Sequence, residues 1–187
     1  MTDLDAVARE AAISANQHES ELRFMCNLVA ERRPRRILEI GVEGGWSLWA
    51  WAQVAADDAA LMGVDAEWHS TIFSSVMERF PWPAREGQSV RWFKGDSRSP
   101  EAVQAVKEWA VTPIDFLFID ADHSYDAVMS DFANYGALVA EGGLIGFHDI
   151  ANQASEAWTE IKRQGFQTDE FVDPDNAGMG IGCIFLP

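Results

Sequence analysis

Apolar and polar positions change their period along this chain. Over residues 3–31 the repeat is helical: Leu22, Met25, Cys26 and Val29 fall on one face, and a break near Asn16 divides the segment into two helices. Pro34 ends that segment. Short apolar runs follow. RRILEI (35–40), ALMGVD (60–65), SVRWFKG (89–95), IDFLFI (114–119) and LIGFH (144–148) predict strands. Helices are expected at 45–56, 70–80, 100–110, 124–139 and 153–164. Ser99 is a natural N-cap with Pro100 at the first helical position. Pro81 and Pro83 stop the second of these helices, and Gly142–Gly143 the fourth. QTDEFV (167–172) and GIGCIFL (180–186) predict a closing hairpin.

Strand–helix alternation of this kind predicts an α/β fold. The expected architecture is an open, mostly parallel seven-stranded sheet with helices on both faces, a C-terminal antiparallel hairpin and N-terminal helices. At 187 residues without an internal repeat, one domain is expected, with an N-terminal helical segment (1–33) and a core (35–187). Hydrophobic residues make up 48% and charged residues 24%, as in ordinary soluble proteins. No apolar stretch approaches the ~20 residues of a membrane span, and no signal-peptide core is visible at the N-terminus. Cys26 and Cys183 stand far apart without metal-like spacing, which suits buried, reduced thiols and a cytoplasmic protein. The formal net charge of −16 argues against nucleic acid as a partner. The one basic cluster, Arg32, Arg33, Arg35 and Arg36, lies where cations suit a helix C-terminus. Eight tryptophans suit a core or an interface, so a homo-oligomer is compatible with the chain, and those near the glycine loop could line a pocket.

In such sheets ligands bind beyond the carboxyl ends of the strands, at the point where strand order reverses. The first strand ends in Glu39-Ile-Gly41-Val-Glu43-Gly44-Gly45-Trp-Ser47. Its G-x-x-G-G spacing departs from the dinucleotide pattern G-x-G-x-x-G, and acidic Glu39 suits a cofactor with a cationic amino group. The competing reading is a tight turn that binds nothing. Asp65 ends the second strand, where an acid can accept ribose hydroxyls. Asp96 and Ser97 end the third, placed for a base ring or for a plain capped loop. The fourth ends in DADHSYD and the fifth in HD, and consecutive strands usually pair. Asp120 and Asp149, with His148, could therefore share one hard divalent cation such as Mg²⁺. His123 is close enough to Asp120 in sequence to take a proton from a hydroxyl held there. Asp122 or Ser124 suits the cap of the next helix. The competing reading makes these charges caps, salt bridges and surface groups.

With these residues assembled, the chain resembles class I S-adenosylmethionine-dependent methyltransferases, and among them the small metal-dependent O-methyltransferases. ILEIGVEGGWSL resembles their first motif and LMGVDAEW their acidic second-strand end. The stretch from Ile114 to Ile150 is similar to the group that includes sugar O-methyltransferases of macrolide biosynthesis and cephalosporin hydroxylase-like proteins. The resemblance covers residues 17 to 186 and implies a Rossmann-like methyltransferase domain. It implies that Glu39, Gly41, Gly45 and Ser47 surround the methionine part of S-adenosylmethionine, Asp65 the ribose, and Asp96 and Ser97 the adenine. Asp120 would touch cofactor and metal, with Asp149 a metal ligand and His148 beside it. Catechol O-methyltransferase has Asp-Asn where this chain has His-Asp, so the register of the second ligand stays open. That enzyme's lysine three residues after the first metal aspartate corresponds here to His123, as in the macrolide sugar enzymes, which makes His123 the candidate base.

The expected activity is methyl transfer to a hydroxyl, one of a vicinal pair for preference, on a small molecule or sugar. A nicotinamide-dependent oxidoreductase and a non-catalytic cofactor- or metal-binding protein are the alternatives. The acceptor is expected against the N-terminal helices and loops near 66–70, 121–125 and 150–155.

Overall fold

The computed structural model describes residues 2–14, 17–66, 84–175 and 179–187. Two helices come first, α1 (Leu4–Ser14) and α2 (Glu19–Arg32). Five strands follow, β1 (Arg36–Ile40), β2 (Ala60–Asp65), β3 (Ser89–Lys94), β4 (Ile114–Ile119) and β5 (Val139–His148). Helix α3 (Trp46–Val54) joins β1 to β2, α4 (Pro100–Trp109) joins β3 to β4, and α5 (Tyr125–Tyr135) joins β4 to β5. Helix α6 (Ser155–Arg163) then leads into β6 (Gln167–Phe171) and β7 (Ile181–Phe185). The helix expected at 70–80, with Pro81, Pro83, Trp68 and Trp82, lies outside the described residues.

The sheet has seven strands in the order β3-β2-β1-β4-β5-β7-β6. The first five run parallel, and β7 lies antiparallel between β5 and β6. The chain builds outward from β1 through β2 to β3, then crosses back to lay β4 on the other side of β1. Strand order therefore reverses between β1 and β4, and a crevice opens beyond their carboxyl ends.

Alternation along β4 shows how the two faces fill. Phe116 and Phe118 point to the α1–α3 side, where Trp51 stacks edge-on against both rings at 5.5 and 5.2 Å. Leu117 and Ile119 point to the other side, among Leu38, Val106, Phe147 and Trp158. The face read from the helical repeat, Leu22, Met25, Cys26 and Val29, is wholly buried. Helix α2 packs close because Gly146 leaves room: a Cβ there would lie 2.8 Å from Met25 Cε. Ser99 caps α4 as expected, its Oγ accepting from the Ala102 N–H at 3.1 Å. The arginine cluster does structural work too. Arg32 donates to the Leu28 carbonyl at 2.9 Å, and Arg36 reaches the Trp109 carbonyl at 2.6 Å.

One boundary differs from the sequence pattern. The helix expected to run to residue 139 ends at Tyr135 with a single 3-10 turn, and β5 begins at Val139 rather than Leu144. Val139 pairs with Ile114, and the register then shifts before Leu144 meets Phe116. Gly142–Gly143 is a bulge inside the strand rather than a helix stop, a common use of glycine in sheets. Among the described residues no helix is long and apolar enough to cross a membrane.

Candidate functional site

A cavity of about 710 Å³ lies beyond the strand ends at the β1/β4 reversal. Its first wall is the glycine loop. Gly41 has φ +84°, and a Cβ on it would sit 2.1 Å from the Asp120 carbonyl oxygen, so the two strand ends can close only around glycine. Asp65 fastens the same loop: Oδ2 accepts the Val42 and Glu43 N–H groups, each at 2.8 Å. Gly41, Ser47 and Asp65 line the cavity. Glu39 and Gly45 do not. Gly45 is the N-cap of α3, and Glu39 is fully buried behind the loop, where Ser47 donates a hydrogen bond to Oε1. Burial raises the Glu39 carboxyl well above its ordinary range, despite the opposing Ser47 bond.

Asp96 and Ser97 line the neighbouring wall. Asp96 is clasped by Arg98, through the backbone N–H at 2.9 Å and the guanidinium at 3.0 and 3.2 Å, and this holds its carboxyl below the usual range. Tyr135 donates its hydroxyl to the Ser97 carbonyl from beneath. Asp131, almost wholly buried on α5, also packs under this loop, and its Oδ1 has no hydrogen-bond partner. Burial lifts its carboxyl to about 6, against a hydrogen bond from Ser97 and the charge of Arg98.

The opposite wall carries the carboxylates and imidazoles from the ends of β4 and β5. His123 spans the two acids, with Nε2 3.1 Å from Asp120 Oδ1 and Nδ1 2.8 Å from Asp149 Oδ2. His148 is buried, and its Nδ1 lies 3.0 Å from Asp120 Oδ1. Asp149 holds a left-handed backbone at φ 57°, a conformation that short polar residues tolerate and that recurs at functional sites. Two groups come from the N-terminal segment. Gln17 donates to Asp120 Oδ2, and Glu21 accepts the Gly180 N–H at 2.7 Å while facing His148. Burial opposes charge on both imidazoles, yet the surrounding carboxylates prevail: His123 is raised, and His148 is raised to about 10. Asp120 is correspondingly lowered: burial alone would raise it, and the imidazolium charges overcome that. Asp122 accepts the Ser124 N–H at 3.0 Å at the start of α5.

Nearly all the acids and histidines read at the strand ends thus converge on one cavity. Gln17, Glu21, Arg98 and Asp131 escaped that reading. Glu21 did leave a trace, because it stands four residues before Met25 and so shares the buried face of α2. The residues fit a divalent cation on two grounds. Asp120, His123 and His148 can each offer a ligand atom with all three within 4.8 Å of one another. Five buried atoms here, Gln17 Oε1, Glu21 Oε2, Asp149 Oδ1 and both His148 nitrogens, lack hydrogen-bond partners. A nucleoside-sized cofactor also fits: the cavity has the volume, a glycine-only close approach and acidic groups spaced along its floor.

Comparisons with known proteins agree on the fold. A family model described as "Methyltransferase domain" matches residues 38–150. An uncharacterized protein, y4gI, of Sinorhizobium fredii (strain NBRC 101917 / NGR234) is 30% identical over 152 residues, which is 74% of this chain and 15% of that protein. The chain thus spans only a small part of the curated relative it matches. Among solved structures, the O-methyltransferase TomG from Streptomyces achromogenes, in complex with S-adenosylmethionine, superposes with a TM-score of 0.72 at 15% identity. That match covers 100% of this chain and 91% of TomG. An O-methyltransferase from Bacillus cereus with S-adenosylhomocysteine gives 0.68 at 21% identity, covering 99% and 92%. The MycE methyltransferase of mycinamycin biosynthesis, with Mg and S-adenosylhomocysteine, gives 0.67 at 19% identity, covering 99% of this chain and 55% of MycE.

Proposed function

The chain belongs to the methyltransferase-domain family, and on that premise we propose that it is an S-adenosylmethionine-dependent O-methyltransferase that methylates a hydroxyl of a small molecule with the help of a divalent cation. The observation that carries this reading is the continuity of one cavity, from the glycine loop and Asp65 at one end to Asp120, His123 and Asp149 at the other. Gly41, Ser47 and Asp65 would hold the cofactor's amino-acid and ribose parts, and Asp96 and Ser97 its base. Glu39 would meet the amino group only through the Ser47 side of the loop. Asp120 and Asp149, with His148, would hold the cation.

When bound, S-adenosylmethionine supplies an electrophilic methyl group, and a divalent cation lowers the pKa of a hydroxyl. The chain's own residues do the rest. The rim opposite the glycine loop, with Asn152, Gln153 and Met179, is where an acceptor would lie. His123, on the cavity wall beside Asp120, would accept the hydroxyl proton at a ring nitrogen. Its two carboxylate neighbours favour the imidazolium while they carry their full charge. A cation held by those carboxylates would draw on that charge and favour the neutral imidazole that a base requires. The cavity walls hold donor and acceptor in close approach, which lowers the entropic part of the barrier.

Calorimetry with S-adenosylmethionine should show one site per chain, and NAD should give no heat. Binding of NAD without binding of S-adenosylmethionine would overturn the reading in favour of an oxidoreductase. Labelled-methyl transfer to a panel of catechols and vicinal diols then tests the chemistry.

A further inference from the structure

Glu21 comes from α2 rather than from a strand end, and it is fully buried. A buried carboxylate is costly unless something compensates its charge. Oε1 accepts the Gly180 N–H, while Oε2 has no hydrogen-bond partner and faces His148 Nε2 across 3.6 Å. On the far side of the same ring, Nδ1 lies 3.0 Å from Asp120 Oδ1 and 3.8 Å from Asp149 Oδ1. Neither ring nitrogen is aligned in a hydrogen bond. Three carboxylates therefore surround one buried imidazole whose polar atoms are close but unjoined. Native interiors leave few buried polar atoms unpartnered, and a group of them calls for a bound ion or ordered water.

The donor set bears on which ion. Mg²⁺ prefers oxygen ligands, whereas an imidazole among carboxylates suits first-row transition ions. A histidine that ligates a metal through one ring nitrogen usually gives its other N–H to a carboxylate, which fixes the tautomer and the ring. Glu21 faces Nε2 of His148 across 3.6 Å and Asp120 lies on the Nδ1 side, so a small closing movement would let Glu21 take the Nε2–H.

We propose that Glu21 is the positioning residue of an imidazole-containing metal centre: it holds His148 at Nε2, so that Nδ1 joins Asp120 and Asp149 as a ligand, and the centre takes a first-row transition ion, for which Mn²⁺ is the spectroscopic probe, ahead of Mg²⁺. This rests on the cation of the proposed function but not on methyl transfer. His123, which with Asp120 and His148 could also offer a ligand atom, is assigned to the proton and not to the ion.

Metal-free protein should be titrated with MnCl₂ and with MgCl₂ by calorimetry, and the Mn²⁺ complex examined by electron spin echo envelope modulation. The expected result is Mn²⁺ affinity at least roughly tenfold above that for Mg²⁺, with nitrogen modulation from a coordinated imidazole. His123→Ala should keep that modulation. His148→Glu should abolish it and narrow the affinity ratio. Glu21→Gln keeps an acceptor for the Gly180 N–H and should weaken Mn²⁺ by about 10–100-fold. Its S-adenosylmethionine affinity should match that of the parent. A Mn²⁺ complex without nitrogen coupling, equal affinities for the two ions, or parental Mn²⁺ affinity in Glu21→Gln would each overturn the proposal. The wild-type spectrum decides the ligand question even if a variant fails to fold. Metal preference without S-adenosylmethionine binding would break the functional reading and leave this one standing. Turnover with no preference between the ions would do the reverse.

Discussion

The ends of β1, β2 and β3 and the ends of β4 and β5 carry the same residue types on the same edge of one sheet, yet they treat charge in opposite ways. On the first side most acids are held by the protein's own groups, and two buried carboxyl oxygens, Glu39 Oε2 and Asp131 Oδ1, have no hydrogen-bond partner. Asp65 takes two backbone N–H groups, Asp96 takes Arg98, and Glu39 lies buried beside Ser47, its carboxyl raised by that burial. On the second side Asp120 and Asp149 face imidazoles, with Glu21 behind, and five buried atoms lack partners. An acid whose lone pairs are filled by the backbone shapes a loop. An acid left facing other unfilled groups is poised for a cation.

The strongest way to break this contrast is to remove the second group. Asp120→Ala and Asp149→Ala should each lower methyl transfer by about 10²–10³ and abolish its dependence on added metal. Turnover measured against MnCl₂ and MgCl₂ checks this, and metal-dependent activity retained in both variants would dissolve the assignment. His123→Ala should reduce kcat by about 10²–10⁴ while leaving S-adenosylmethionine affinity unchanged, the signature of a lost base rather than a lost binding group. On the first side the expected effects are smaller. If Glu39 acts on the cofactor's amino group as a carboxylate, Glu39→Gln should weaken S-adenosylmethionine about tenfold or more in calorimetry. Parental affinity in that variant would make Glu39 a neutral strut for Ser47.

These two regions also differ in how far the sequence foretold them. Strand ends were legible because apolar runs such as FLFI and LIGF stop at charged residues, and a parallel sheet brings those stops to one edge. The helical face of α2 was legible from its spacing. The bulge at Gly142–Gly143 was misread, because a glycine pair breaks a helix and kinks a strand equally well, and only the pairing of Val139 with Ile114 decides between them. Gln17 left no signal in the sequence and Glu21 only its place on the buried face of α2, for a different reason. Their role depends on α2 docking against β5 through Met25 and Gly146, a contact between residues more than a hundred positions apart in the chain. The cofactor roles of Glu39, Gly41, Gly45, Ser47, Asp65, Asp96, Ser97 and Asp120 rest on resemblance.

Asp131 tests the contrast at its smallest scale, because it is a buried acid on the first side with one unfilled oxygen. If that side absorbs charge rather than seeking a cation, Asp131 should be satisfied by a proton. Its folded-state carboxyl stands at about 6, above the ordinary 3.8, chiefly through burial. An acid raised by folding adds stability that is fully present below its unfolded value and is lost as pH rises through its folded value. Asp131→Asn removes the titration and keeps the shape. The variant should therefore be more stable than the parent above about pH 7, by on the order of 2–3 kcal/mol for a shift of this size. The difference should shrink as pH falls through 6 and vanish near 4. Denaturant unfolding at a series of pH values reads this directly. A pH-independent difference would mean that Asp131 is ionised in the fold and held by Arg98. Stabilisation of the parent by added Mn²⁺ that disappears in Asp131→Asn would place a cation on the wrong side of the cavity and erase the contrast.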